Sequence, residues 1–200
     1  GSEMCIRDRF LTEAAQQRAI DCLKVYRHVA NMHHVTKILA VATAAVRNAK
    51  NGASFLKRVR TSTHIPMTII SGKQEAALGF SGVIHTIDTS DFLLFDLGGA
   101  SIEISLVKDK KRIHSVSIPI GAVTLTEKFQ SASTVSGGDI KKIQSFVVKE
   151  LRTIPWIPKK ACPVVGVGGT VRNLAKIYQR NIGYPLPKLH NYQMPANGLF

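Results

Sequence analysis

The chain has 200 residues, 44% of them hydrophobic, so it can bury a core in one ordinary domain or two small ones and is not of the disordered class. No apolar run approaches the roughly 18 residues of a membrane-spanning helix, and no signal segment opens the chain. The three cysteines lack CxxC spacing, which favours a reduced, cytoplasmic setting. The 27 basic and 13 acidic residues give a net charge of +14, which favours polyanionic partners without choosing among nucleic acid, polyphosphate, nucleotides and a membrane surface.

The first half of the chain alternates helices and strands. Residues 1–9 fit no pattern and resemble a tag or another non-native leader, so we exclude them from the fold. Thr12 is a suitable helix N-cap, and apolar residues recur after it at helical spacing. Further along, the patterns predict strands at 37–43 and 67–71 and helices at 45–59 and 73–84.

The second half begins with a meander and then returns to helices. Three strands joined by tight turns are predicted at 92–96, 101–107 and 112–118. The densest basic run, 108–112, lies at one hairpin tip, and helices follow at 121–130 and 138–153. A strand, a glycine turn and a helix come after residue 163. This order predicts a mixed α/β architecture with two lobes, 10–120 and 121–200.

The stretch FLLFDLGGASIEIS, residues 92–105, ends a buried strand in one acid and two glycines. Gly98, Gly99, Ala100 and Ser101 offer successive backbone N–H groups with little side-chain cover, and turns of this kind bind anions. Asp96 would repel a bare phosphate, but it becomes useful if Mg²⁺ bridges the two, because Mg²⁺ takes one or two carboxylates plus phosphate oxygens. A plain hairpin whose acid starts the turn explains the local pattern equally well.

A second glycine turn, Gly166 to Thr170, follows a buried strand and opens a helix. A helix N-terminus presents free N–H groups and a partial positive charge, which together favour an anion. A dinucleotide-binding turn of the Rossmann type is excluded, because Val171 stands where GxGxxG needs its third glycine. That fold also expects an acid about twenty residues further on, and no Asp or Glu follows Glu150.

Two further charged residues are candidates for chemistry. Glu75 lies near the start of a predicted helix, where Ser71 can be the cap and the helix dipole favours an anion. It is either an ordinary helix-start acid or a carboxylate that orients or deprotonates a water. Arg47 is either a surface helix residue or a clamp for phosphate.

Taken in order, these segments resemble the exopolyphosphatase/guanosine pentaphosphate phosphohydrolase (Ppx/GppA) family. The likeness covers about residues 11–193 and is carried by VATAAVRNAKN, ISGKQEAALGFSGV, FDLGGASIEISLV, SIPIGAVTLTEKF and VGVGGTVRNLAKI. The resemblance implies an α/β actin-like ATPase fold, that of sugar kinases, heat-shock ATPases and actin. Its two ribonuclease H-like lobes would be incomplete here.

The resemblance also implies Mg²⁺-dependent hydrolysis of a terminal phosphoanhydride, in inorganic polyphosphate or guanosine pentaphosphate. Glu75 matches the family's catalytic acid, and Asp96 and Glu103 match acids linked to the metal. The family's phosphate-binding positions correspond to Gly98, Gly99, Ser101, Gly168, Gly169, Thr170 and Arg47. For partners it implies polyphosphate or guanosine penta- or tetraphosphate and a homodimer of the full-length protein, with no membrane and no specific nucleic acid.

The chain departs from the family pattern in two ways. The loop DLGGASIE has Ala100 where the family has glycine, which removes tolerance for positive φ, and Ile102 where it has a threonine hydroxyl. The family's first phosphate loop has no counterpart before residue 11, so we expect a fragment. These departures favour an alternative, a non-catalytic regulatory module that binds polyphosphate or guanosine tetraphosphate. A kinase or chaperone-type ATPase of the same fold is a third hypothesis.

Overall fold

The structure is a computed structural model that describes residues 4–5, 9–130 and 134–199. Most of the expected non-native leader, residues 1–9, therefore lies outside the described residues. The contacts within the chain divide it into two units, Gly1–Gln74 and Glu75–Phe200. Among the described helices, none combines the length and the apolar character that a membrane span requires.

The first unit is a small helix and strand assembly around Ile20, Phe55 and Val59. Thr12 caps its long helix, because Thr12 Oγ1 accepts a hydrogen bond of 3.2 Å from the Ala15 N–H group. The elements, in chain order, are β1 Met4–Cys5, β2 Phe10–Leu11, α1 Glu13–Met32, β3 Ala40–Ala42, α2 Ala44–Arg47, α3 Gly52–Thr63 and β4 Met67–Ile69. Strands β1 and β2 pair antiparallel, and β3 and β4 pair parallel.

The helix predicted at 45–59 is interrupted. Helix α2 ends at Arg47 and α3 begins at Gly52, so the break coincides with the Asn51-Gly52 pair. A Cβ atom at Gly52 would lie 2.2 Å from the carbonyl O of Val46, which explains why glycine occupies the start of α3. The two helices can therefore turn sharply against each other only because position 52 carries no side chain.

The second unit is built on a four-stranded sheet. The boundary between the two units falls within helix α4, Gly72–Val83, after its third residue. The sheet has the order β7-β6-β5-β8, with β5 Phe92–Leu97, β6 Ile102–Lys108, β7 Lys111–Ile118 and β8 Val164–Val167. Strand β5 pairs antiparallel with β6 and parallel with β8. The remaining helices are α5 Ala122–Phe129, α6 Gly137–Arg152, α7 Gly168–Asn181 and a 3₁₀ turn at Ala196–Leu199.

Both faces of this sheet are covered. One apolar cluster contains Val83, Phe92, Leu94 and Val107, and a second cluster around Ile104 includes residues of α5 and α6. Apolar and polar residues alternate along most of β6, yet the whole run from Glu103 to Val107 is buried. The polar members of that run therefore lie in an environment where each needs a hydrogen-bond partner.

The division between contact units falls after Gln74, and the two lobes expected at 10–120 and 121–200 stay a prediction. Strand β8 lies beyond residue 120, yet it pairs with β5, so one sheet continues across the expected boundary. The basic run 108–112 forms the exposed β6–β7 turn, as the sequence predicted, with Asp109 and Lys110 at positive φ.

Candidate functional site

Two glycine turns leave the sheet at the same edge. Asp96, near the end of β5, is the register partner of Val167, the last residue of β8. The strands are parallel and neighbours, so their carboxyl ends lie side by side, about 4.8 Å apart. The loop 98–101 that follows β5 and the turn 168–170 that follows β8 are thereby brought together.

The loop 98–101 is held in place by hydrogen bonds from the start of α5. The Ala122 N–H group donates to the carbonyl O of Gly98 over 3.0 Å, and the Val123 N–H group donates to that of Gly99 over 2.9 Å. In a trans peptide the N–H group points opposite to the C=O group of the same unit. The N–H groups of Gly99 and Ala100 therefore point away from α5. Within the part of the chain that the structure describes, no acceptor engages them.

Gly121 makes this close approach possible. A Cβ atom at position 121 would lie 2.2 Å from the carbonyl O of Gly99 and 2.4 Å from the N atom of Ala100. Both contacts are far below any real Cβ separation, so a side chain here would push the loop off α5. Gly121 was not among the residues predicted for the site, although its position directly before a helix was a usable signal.

The second turn makes room for the carboxylate of Asp96. Gly168, the first residue of α7, has φ +92°, and a Cβ atom there would lie 2.5 Å from Asp96 Oδ1. No side chain caps the N-terminus of α7, whose first N–H groups have no acceptor within the helix. A Cβ atom at Gly169 would meet nothing within 4 Å, and Gly169 and Thr170 belong to the same first turn. An anion-binding helix terminus and a carboxylate therefore lie against each other.

Three carboxylates influence one another at this edge. Burial raises the pKa of Asp96, the charge of Glu75 raises it further, and the charge of Arg172 opposes both. Burial also raises the pKa of Glu103, and the charges of Glu75 and Asp96 add to that effect. Glu75 is half-buried in the first turn of α4, as the sequence predicted. A cation that reached these acids would relieve both their desolvation and their mutual repulsion.

Glu103 is the centre of a small buried network. It is the register partner of Asp96 on β5 and of Ser117 on β7, so the three side chains lie on one face of the sheet. Glu103 Oε1 accepts hydrogen bonds from Ser101 Oγ at 2.8 Å and from Ser117 Oγ at 2.7 Å. These bonds lower the pKa of Glu103 against the effect of burial. Ser117 was missed because a single hydroxyl within a strand forms no motif.

The structure accommodates both residues of the segment DLGGASIE that depart from the family pattern. Ala100 is buried and is not among the described residues with positive φ, so the lost tolerance for that conformation costs nothing. Ile102 packs in the apolar cluster around Ile104, on the face opposite Glu103. Its side chain therefore adds to the core and does not replace a polar group beside the acids.

Arg47 belongs to the first contact unit. Its Nη1 atom donates a hydrogen bond of 2.8 Å to the carbonyl O of Ile70 within that unit. The bond anchors the guanidinium to the backbone just before α4. The role of Arg47 in binding phosphate stays a prediction.

The residues present fit a magnesium ion that is shared with a phosphate. No group of three or more His, Cys, Asp and Glu side chains among the described residues is arranged to hold a metal by itself. Mg²⁺ needs only one or two carboxylates when phosphate oxygens and waters complete its octahedron. Asp96 is suited to this role, because its carboxylate lies beside a helix terminus that favours the phosphate. Glu103 Oε1 already accepts two hydroxyl donors, which leaves it less available as a ligand.

Several known proteins are similar to this chain. The model of the Ppx/GppA phosphatase family matches residues 5–199. A bifunctional 3-dehydroquinate synthase/phosphatase of Fusobacterium nucleatum is 31% identical over 192 residues, which are 92% of this chain and 29% of that protein.

Two solved structures are also similar. The crystal structure of the Ppx/GppA family member of Aquifex aeolicus is 30% identical, with a TM-score of 0.69 over 92% of this chain and 59% of that one. An exopolyphosphatase from Cytophaga hutchinsonii is 26% identical, with a TM-score of 0.75 over 90% of this chain and 59% of that one. The chain thus spans well under two thirds of the length of these relatives. The predicted fold class, an incomplete actin-like ATPase fold, is confirmed.

Proposed function

The chain belongs to the Ppx/GppA phosphatase family, and from this premise we propose that it hydrolyses the terminal phosphoanhydride of inorganic polyphosphate or of guanosine pentaphosphate. One observation carries the proposal. The carboxylate of Asp96 lies against the uncapped N-terminus of α7, beside a loop whose N–H groups point away from its supporting helix. This combination of one acid with two sets of backbone donors suits a phosphate and its cation better than a bare anion.

Each part of the site has a distinct task in this reaction. The N–H groups of Gly99 and Ala100 and those of the first turn of α7 bind oxygens of the terminal phosphate and orient it. Mg²⁺, when bound at Asp96, neutralises charge on the phosphate oxygens. Phosphoryl transfer depends mainly on such positioning and neutralisation, so we expect the rigid backbone N–H donors to contribute most to the rate.

Glu75 acts as the general base of the reaction. It lies at the start of α4, close enough to Asp96 and Glu103 to affect the pKa of both. From there its carboxylate orients the attacking water and accepts its proton. A positioned base of this kind contributes typically about 10²–10⁴-fold to a rate.

Phosphate release is the direct test. The wild-type chain is incubated with Mg²⁺ and either polyphosphate of defined length or guanosine pentaphosphate, and inorganic phosphate is measured over time. Glu75→Gln should lower kcat by about 10²–10⁴-fold, while Glu127→Gln, at an exposed position on α5, serves as the matched control. EDTA should abolish release. If Glu75→Gln releases phosphate as fast as Glu127→Gln, the assignment of the base is wrong.

The same assay separates the two substrates and the binding-only alternative. That alternative is motivated by Ala100, by Ile102 and by the absence of the family's first phosphate loop. Of these, Ala100 lies outside the positive-φ region and Ile102 packs in the core, so the two residues are accommodated. It would be supported if polyphosphate or guanosine tetraphosphate raised the melting temperature while no phosphate was released. A kinase or ATPase of this fold would instead consume ATP.

A further inference from the structure

We propose that Arg172 is an additional phosphate-binding residue of this site, with its guanidinium contacting the terminal phosphate that α7 and the loop 98–101 hold. The inference rests on the proposed function, because it names a further residue for the same substrate class. Arg172 belongs to neither glycine turn, and the sequence patterns did not single it out.

Helical geometry directs Arg172 towards the site. It lies four residues after Gly168 on α7, and residues at this spacing share one face of a helix. Side chains on a helix also lean towards its N-terminus. The guanidinium of Arg172 therefore extends back over Gly168, the residue whose missing side chain makes room for Asp96 Oδ1.

The electrostatics agree with this placement. The charge of Arg172 lowers the pKa of Asp96 against the effect of burial, so the two groups are close enough to interact. Among the residues that the structure describes, no hydrogen bond or ion pair engages the Arg172 guanidinium, which is exposed. A cation held near the acids without a structural partner is available for a ligand.

The chemistry of the side chain suits a phosphate. Arginine presents a planar fork of N–H donors that matches two phosphate oxygens at once, whereas lysine offers only a compact charge. Asp96 would hold Mg²⁺, and the guanidinium of Arg172 would add a second positive charge to neutralise the phosphate. This arrangement also explains how a site with three acids could attract an anion.

Arg180 provides a matched control on the same helix. It follows Arg172 by eight residues, which corresponds to about 12 Å along the axis. Arg180 is exposed and lines a shallow cavity with Lys176 and Tyr184 at the other end of α7. Substituting it removes the same charge from the same helix without touching the glycine turn.

The experiment measures binding separately from turnover. Isothermal titration with imidodiphosphate, an analogue of pyrophosphate whose P–N–P bridge replaces the phosphoanhydride, is carried out with Mg²⁺ on the wild type, Arg172→Ala, Arg172→Lys and Arg180→Ala. Loss of a charge-assisted hydrogen bond should weaken binding about 10–100-fold in Arg172→Ala. Arg172→Lys should fall between, and Arg180→Ala should match the wild type. The melting temperatures of all variants should agree, because an exposed side chain contributes little to stability.

Each outcome decides the proposal. If Arg172→Ala binds as tightly as Arg180→Ala, or if the wild type does not bind the analogue, Arg172 has no such role. If Arg172→Ala binds weakly and the wild type also releases phosphate from polyphosphate, both proposals stand. Selective loss of binding in Arg172→Ala without turnover by the wild type would support Arg172 as a phosphate ligand and overturn the hydrolase.

Discussion

Replacing Gly168 with alanine should destabilise the second unit through two separable effects. The backbone at position 168 has φ +92°, and a side chain in a left-handed conformation costs about 1–2 kcal/mol. The new Cβ atom would also lie 2.5 Å from Asp96 Oδ1, an overpacked contact that costs about 1–3 kcal/mol. Gly168→Ala should therefore lower the free energy of unfolding by about 2–5 kcal/mol.

A double-mutant cycle with Asp96→Ala isolates the second effect. Without the carboxylate only the backbone strain remains, so Gly168→Ala should cost about 1–2 kcal/mol in that background. The coupling energy between the two positions should then be about 1–3 kcal/mol. A coupling energy of this size would show that the Asp96 carboxylate can lie against α7 only when position 168 lacks a side chain.

Urea unfolding followed by tryptophan fluorescence is a suitable assay. Trp156 is the single tryptophan of the chain and stacks on His114 within the second unit, so its signal reports the unit that contains both residues. Gly169→Ala is the control, because a Cβ atom there meets nothing within 4 Å. The reasoning fails if Gly168→Ala is as harmless as Gly169→Ala, or if its cost is unchanged by Asp96→Ala.

Two further predictions concern the same edge of the sheet. Burial raises the pKa of Asp96 above its ordinary value of 3.8, so the stability associated with its protonated form is present at low pH and is lost as the pH rises through the raised pKa. Without Mg²⁺, Asp96→Asn should therefore melt at a higher temperature than the wild type at pH 7. This difference in melting temperature should vanish as the pH falls towards 3.8. A difference that stays the same at every pH would contradict the argument. Gly121→Ala should cost about 1–3 kcal/mol in urea unfolding, because its Cβ atom meets the backbone of Gly99, whereas Gly137→Ala, in open space, should not.

The local parts of this structure could be predicted from the sequence. An apolar run followed by glycines identified both β5 with its loop and β8 with its turn, and helical spacing after the second turn identified α7, because each signal lies within about ten residues. The cap at Thr12 was visible for the same reason. Roles for Glu75 and Asp96 came from the family resemblance, and the structure adds that their charges interact.

The non-local parts could not be predicted. The pairing of β5 with β8 joins Asp96 to Val167 across more than half of the second unit, and no local pattern specifies which strands become neighbours. The boundary placed near residue 120 came from a change in local pattern, and such a pattern carries no information about that pairing. Ser117 was missed for a similar reason, because its importance depends on lying opposite Glu103 in the sheet.

The bonds between α5 and the glycine loop bear on how the site could be tuned. The first N–H groups of α5 are already used by the carbonyls of Gly98 and Gly99, so that helix cannot touch an anion itself. Hydrogen-bonded peptide groups polarise one another, and a carbonyl that accepts strengthens the N–H group across the same amide. The partial positive charge of α5 would thus be relayed through two amides to a ligand that the helix never contacts, and a charge introduced into the first turn of α5 would alter affinity from a distance.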